Sequence, residues 1–291
     1  MANLLRRIWE LPPRDAIRKA LRRVRAKKGY DLDDLLRSSK HMNSQLFYNF
    51  LSRYESILHR SHGWDALVFE GQDVLEVGCG PVLGFGPLAL FLGAASYTGV
   101  DPTFQPEWAL HPRLRDKYYL GIYKDLSGIF GPRMTCERWL ELLHTNARVF
   151  SATILDADLA GRSFGIMLSN STIEHVEPLG PSVARLRELA APGVRFIHLV
   201  DFGNHRATRS PFSGIYAVEP DAYRQKYGRG INLARPPDVL RIFDEAGFSA
   251  AMQPYYWFRE FYDEPILPYW SNRYSDDDLF LKCAIVFSAG R

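Results

Sequence analysis

The segment VLEVGCGPVLGFG, Val74 to Gly86, constrains this chain more than any other. Val74, Leu75 and Val77 make a short apolar run of the kind that forms a buried strand. Gly78 and Gly80 follow at once, then Gly84 and Gly86, then a helical stretch, Pro87–Leu92. Glycine lets the backbone turn tightly and lets a ligand lie against it with no Cβ in the way. A helix N-terminus just beyond such a turn favours a negatively charged group. A dinucleotide-binding turn is the nearest alternative. Two details speak against it. Glu76 lies inside the strand end, and glycines at 78, 80 and 84 miss the G-x-G-x-x-G spacing because Leu83 stands in the sixth place.

The rest of the chain repeats this rhythm. Short apolar runs recur at Tyr97–Val100, Val149–Leu155, Phe164–Leu168, Val194–Val200 and Ala284–Phe287. Helical stretches such as Ser182–Ala190 and Pro237–Ala246 lie between them. The alternation predicts an α/β fold, a mostly parallel sheet with helices on both faces. The chain has 291 residues, enough for one such domain with an appendage. Residues 1–70 are expected to form a basic and helical extension and residues 71–291 the α/β domain, with 103–147 and 203–236 as substrate-side insertions. Within 31–70, Leu46, Phe47, Phe50, Leu51, Tyr54, Ile57 and Leu58 make an apolar face at helical spacing.

Charge divides the chain unevenly. Residues 1–28 hold ten basic and two acidic residues, a net +8, which leaves −5 on the remainder of a +3 chain. Ile17, Ala20, Leu21 and Val24 fall at helical spacing among the arginines, as in a solvated helix resting on the body or an interfacial helix on anionic membrane. No apolar run reaches the roughly 20 residues that span a bilayer. No apolar core of signal-peptide length precedes Pro12-Pro13. The expected location is therefore cytoplasmic, with peripheral membrane contact through residues 1–28 as an option. Cys79, Cys136 and Cys283 are too scattered for a disulfide framework or a zinc site. Asp276, Asp277 and Asp278 read as a turn, so no metal site is expected.

Several polar residues stand where strands end. Asp101, followed by Pro102, closes the run Tyr97–Val100, about 20 residues past the glycines, where an acid can accept from a ribose diol. Asp156, with Ala157 beside it, ends another run; Asp158 is its rival, and a helix cap or solvated turn is the plain alternative for either. Ser169 and Asn170 follow the run Phe164–Leu168, at the sheet edge where open α/β folds bind ligands.

Together these pieces resemble the class I S-adenosylmethionine (SAM)-dependent methyltransferase superfamily over roughly residues 70–202. LEVGCG (Leu75–Gly80) matches its first motif, GVDP (Gly99–Pro102) its acidic second-strand end, and SNSTIEHV (Ser169–Val176) its fourth-strand motif. LAAPGVRFIHLVD (Leu189–Asp201) is similar to the segment leading into its fifth strand. The resemblance implies a Rossmann-like seven-stranded sheet whose last strand, Ala284–Phe287, runs antiparallel. It implies SAM as cofactor, held by Glu76, Gly78, Cys79, Gly80, Gly84, Asp101, Pro102, Asp156, Ala157, Ser169 and Asn170. The methionine carboxylate would meet the helix N-terminus, and Asp156 the adenine amino group. Gly165 departs from the pattern, which often has aspartate there, and the glycine turn is longer than usual. Asp201–Phe248 is loosely similar to methyltransferases of bacterial surface-polysaccharide assembly, with Asp201, His205, Asn232 and Arg235 at matching places.

Methyl transfer from a sulfonium needs alignment, and a base when the acceptor is a hydroxyl. His175 and His205 both follow strand ends; His205, preceded by Asp201, is the expected base, and His175 is expected to pack at the start of a helix. The expected acceptor is a small molecule or glycan. Aromatics crowd the last third of the chain, Tyr255, Tyr256 and Trp257 among them, and suit sugar rings as well as they suit a core. Two other classes compete. A nucleic-acid methyltransferase would use the basic start, although the body is acidic and SNST replaces the Pro-Pro-Tyr-type motif of amino-methylating DNA enzymes, so no nucleic acid is expected. A non-catalytic SAM-binding partner subunit would have less need of the intact glycine turn and Asp101. A bulky residue at Gly78 is expected to abolish cofactor binding and leave the fold.

Overall fold

Seven strands thread between helices over the residues that a computed structural model describes, 32–109, 111–205 and 209–289. The basic segment 1–28, with the membrane contact expected of it, lies outside those residues. Helices α1 (Leu32–Arg37) and α2 (Leu46–His62) come first. The apolar face read from the sequence is real: Leu51, Tyr54 and Leu58 of α2 are buried. The helix stops at Gly63, whose left-handed φ of 63° lets its N–H reach back to the carbonyls of Leu58 and His59.

Strands β1 (Asp73–Val77), β2 (Ser96–Val100), β3 (Ala147–Phe150), β4 (Phe164–Asn170), β5 (Ala190–Asp201), β6 (Ala250–Trp257) and β7 (Leu281–Ser288) form one sheet. Its order is β3-β2-β1-β4-β5-β7-β6. The first five strands pair parallel, and β7 lies antiparallel between β5 and β6. This is the Rossmann-like sheet with an antiparallel last strand that the methyltransferase resemblance implies.

Both faces of the sheet are covered, which is why the central strands read as unbroken apolar runs. Successive side chains go to opposite faces. In β5, Ile197 and Leu199 enter the layer under α2, while Phe196 and Val200 enter the opposite one. The first layer also takes in α3 (Gly86–Phe91), α4 (Leu120–Phe130) and α5 (Cys136–Thr145). There Trp139 is fully buried and its indole N–H donates to the Pro87 carbonyl. On the opposite face lie α6 (Leu179–Glu188) and α8 (Pro236–Glu245). Between them in sequence, α7 (Pro220–Tyr227) joins a third cluster built on Tyr216, Tyr223, Trp270 and Phe280.

Two expected elements change. The run Val149–Leu155 is strand only as far as Phe150. Its partner β2 ends at Val100, and beyond it Ser151 and Thr153 turn their hydroxyls to the Phe104 carbonyl and Asp156. The chain leaves the sheet because its backbone has no further partner to pair with. The sixth strand falls in the aromatic stretch that the sequence assigns to the acceptor side. Its Pro254 hides it, since proline cannot donate in a ladder; β6 is an edge strand, and its register shifts between Pro254 and Tyr256. The Asp276–Asp278 run opens a short helix, Asp276–Phe280, capped by Ser275.

Candidate functional site

Strand order reverses between β1 and β4, and open α/β sheets bind ligands outside the carboxyl ends at such a point. The glycine turn lies there. Gly78, Gly80 and Gly84 have φ of 77°, 65° and 46°, a left-handed backbone that L side chains rarely adopt. Their surroundings differ. A Cβ on Gly78 would lie 2.1 Å from the Thr172 hydroxyl, and one on Gly84 would lie 2.2 Å from Glu76 Oε2. Among the described residues, a Cβ on Gly80 would meet nothing within 4 Å beyond its chain neighbours. Gly78 thus lets β1 close against the turn after β4, and Gly84 lets the loop fold over Glu76. Gly80 leaves bare backbone facing open space.

Glu76 is fully buried under the loop and accepts from Tyr97 Oη at 2.6 Å and from the Phe85 N–H at 2.7 Å. Burial pushes its carboxyl up to about 8 despite those two donors. The sequence places an outside carboxylate at the helix N-terminus. In the structure α3 has only six residues, and Glu76 accepts from inside the N–H of Phe85, the residue just before it. The Cys79 thiol is also in the core, 2% exposed and packed at Gly99, and burial raises its pKa well above the ordinary thiol value. Only the backbone of Cys79 is left for a ligand.

Asp101, 8% exposed, ends β2. Its Oδ2 accepts from the Gly80 N–H at 2.8 Å, and its Oδ1 accepts from the N–H and hydroxyl of Thr103 at 2.8 and 2.7 Å. A carboxylate has about four lone-pair sites. Three donors leave room for one more on Oδ2, beside the open face of Gly80. Pro102 starts the turn that follows. Asp156 is exposed in a turn and accepts from the Thr153 hydroxyl at 2.6 Å, with Ala157 buried next to it. Asp158 accepts from the Ala160 N–H at 3.5 Å, as a turn cap would.

At the end of β4 the two candidates part. Ser169 is 1% exposed, and its hydroxyl pairs with His198 Nδ1 at 2.8 Å. Burial holds His198 down to about 3, so its ring is neutral. Asn170 accepts from Tyr54 Oη at 2.6 Å, which ties α2 to the crevice edge.

A second group of residues stands two positions past Thr172. Ile173–His175 form a single 3-10 turn. Asn232 braces it: its side-chain N–H groups donate to the Ile173 and Val176 carbonyls at 2.7 and 3.0 Å, and its backbone N–H donates to the Glu174 carbonyl at 2.7 Å. Arg235 is 1% exposed and donates to the Leu233 and Phe202 carbonyls and to Tyr216 Oη. The Asn-x-x-Arg pair is therefore a brace inside the protein.

Glu174 is 4% exposed. His175 is exposed, not packed into a helix start as expected, and its Nδ1 donates to the Gly230 carbonyl. His205 comes over from the end of β5, with φ of 49°. Its ring centroid is 4.8 Å from that of His175, and its Nε2 lies 3.5 Å from Glu174 Oε1. The expected partner of His205, Asp201, is engaged elsewhere: it accepts from Lys282 Nζ and from the Gly203 N–H. Glu174 is instead the main cause that raises the His205 pKa, partly offset by burial, with Asp201 adding from a distance. One ligand atom each from Glu174, His175 and His205 lies within 4.8 Å of the others. Reading the sequence missed Glu174; the only signal was its place in a Glu-His pair just past a strand end.

No protein-family model matches the chain, and no curated protein matches it. Among solved structures the chain is similar to an S-adenosylmethionine-dependent methyltransferase from Mesorhizobium loti, with a TM-score of 0.45 and 14% identity over 85% of this chain and 98% of that one. It is similar also to an N-methyltransferase from Bradyrhizobium japonicum, with a TM-score of 0.37 and 13% identity over 83% and 94%. An O-methyltransferase family protein from Burkholderia thailandensis gives a TM-score of 0.40 and 11% identity over 90% and 64%. Likeness at this level bears on no substrate.

Proposed function

We propose that the protein transfers a methyl group from SAM to a hydroxyl oxygen of a small molecule or glycan. One observation carries the reading: open backbone at Gly80 stands beside an Asp101 oxygen that can accept one more donor, at the β1/β4 crevice. In this reading the residues fit SAM. Gly80 and the backbone of Cys79 would lie against it, Asp101 would accept from its ribose, and Asp156 would stand toward its adenine. When bound, SAM supplies a methyl group already activated as a sulfonium.

The acceptor would sit over Glu174, His175 and His205. Thr172, which touches Gly78, begins the turn that carries the first two, so the two sites adjoin. The hydroxyl proton would leave at this cluster, where the His205 ring, backed by Glu174, is the group placed to receive it in the absence of an ion. Asn170 and Tyr54 would close the edge between the two sites. Two measurements test this. Titration calorimetry with SAM and with its demethylated product is expected to show one micromolar site. Label from methyl-tritiated SAM is expected in hydroxyl-bearing acceptors from a glycan and small-molecule panel. No heat from folded protein would reject the cofactor assignment, and labelled nitrogen or nucleic acid would reject the acceptor class.

A further inference from the structure

The Glu174–His175–His205 cluster has features that a proton acceptor does not require. Glu174 is 4% exposed, yet among the described residues neither of its carboxylate oxygens has a hydrogen-bond partner. The contact to His205 is 3.5 Å, an ion-pair distance that leaves both oxygens unsatisfied. A buried carboxylate without donors is costly unless a cation completes it. Both imidazoles flank it from the exposed side. His175 donates its Nδ1 proton to the Gly230 carbonyl, which leaves Nε2 as the nitrogen that can ligate. An outer hydrogen bond that sets the tautomer in this way accompanies metal-ligating histidines. The backbone holds the ligands in place: Asn232 fixes the Glu174–His175 turn, and His205 is held at a φ of 49° that a free chain rarely adopts.

We propose that Glu174, His175 and His205 bind a divalent transition-metal ion of the zinc or iron(II) class. Two imidazole nitrogens and one carboxylate suit such ions, and three protein ligands leave a position open. The open position faces the crevice side on which the acceptor is placed, an assignment that rests on the methyl-transfer reading; binding of the ion does not. With the ion in place, the acceptor oxygen becomes its next ligand and its proton passes to solvent. The oxygen–methyl bond then forms as the sulfur–methyl bond breaks, leaving the demethylated cofactor. His205 then serves as a ligand and takes no proton.

The test uses the full chain, stripped with a chelator and titrated with Co²⁺ as a visible probe and with Zn²⁺ by calorimetry. One equivalent of Co²⁺ is expected to produce absorption bands of a four- or five-coordinate site, displaced by Zn²⁺. Glu174→Gln, His175→Gln and His205→Gln are each expected to weaken binding at least roughly 100-fold, the upper end of what loss of an outer hydrogen-bond partner costs, with SAM affinity unchanged and a cooperative melt of the metal-free protein as controls for folding. Failure of the wild-type protein to bind one equivalent of either ion, while still binding SAM, overturns the metal site and leaves the methyltransferase reading with His205 as base. Equal binding by the three variants also overturns it. Saturable metal binding without SAM binding would sink the function and keep the site.

Discussion

Gly80→Val separates the cofactor reading from a purely structural role for the glycine turn. At a φ of 65° an L residue is disfavoured, by about 1–2 kcal/mol. Among the described residues no atom beyond the chain neighbours lies within 4 Å of the added Cβ, so the main cost is that of the backbone conformation. The variant should therefore fold, with a modestly lower melting temperature. If a cofactor lies against Gly80, two added methyl groups take its place, and affinity should fall at least 100-fold, about 2.7 kcal/mol. Gly78 cannot serve for this test, contrary to the expectation from sequence. Its Cβ would strike Thr172 at 2.1 Å and 2.5 Å, so a bulky residue there disturbs the strand-end packing itself. The assay is titration calorimetry with SAM beside a thermal melt. Unchanged SAM affinity in folded Gly80→Val would refute the placement.

Three further outcomes are expected. Asp101→Ala removes the acceptor of three donors and should both lower stability by about 1–3 kcal/mol and weaken SAM binding; a loss of stability with full binding would separate the roles the other way. Asn232→Ala should cost about 2 kcal/mol in urea unfolding and loosen the turn that carries Glu174 and His175, seen as a drop in turnover larger than any change in SAM affinity; equal turnover would show that the brace is dispensable. His198, held down to about 3 from an ordinary 6.5, supports the fold fully above pH 6.5 and progressively less as pH falls below it, because the unfolded chain then binds the proton first. Near pH 5 the loss is about 2 kcal/mol, and His198→Asn should lack that part of the acid sensitivity; an identical pH dependence in the variant would remove His198 as its source.

Much of the framework was legible because it is local. The apolar runs of β1, β2, β4, β5 and β7, the helical face of α2 and the glycine turn each depend on residues close in sequence, where periodicity and glycine geometry act directly. Other features were hidden for identifiable reasons. Pro254 masked an edge strand that a register shift accommodates. The run Val149–Leu155 had the composition of a strand but no partner beyond Phe150. Ser169 looked like a crevice residue, yet alternation across the sheet turned its hydroxyl to His198, 29 residues on.

By itself, the sequence determined the α/β alternation and the place of the glycine turn with Asp101 at the next strand end. Those follow from hydrophobic period and from backbone freedom, which short segments carry alone. Only the tertiary structure decided which glycine faces open space, since that depends on Thr172 and Glu76 closing on its two neighbours. It alone brought His205 from the end of β5 to Glu174 and His175 past the end of β4 and assigned Asp201 to Lys282. Distances between side chains on different strands are set by sheet order and register, and neither is written in the local pattern of any one strand.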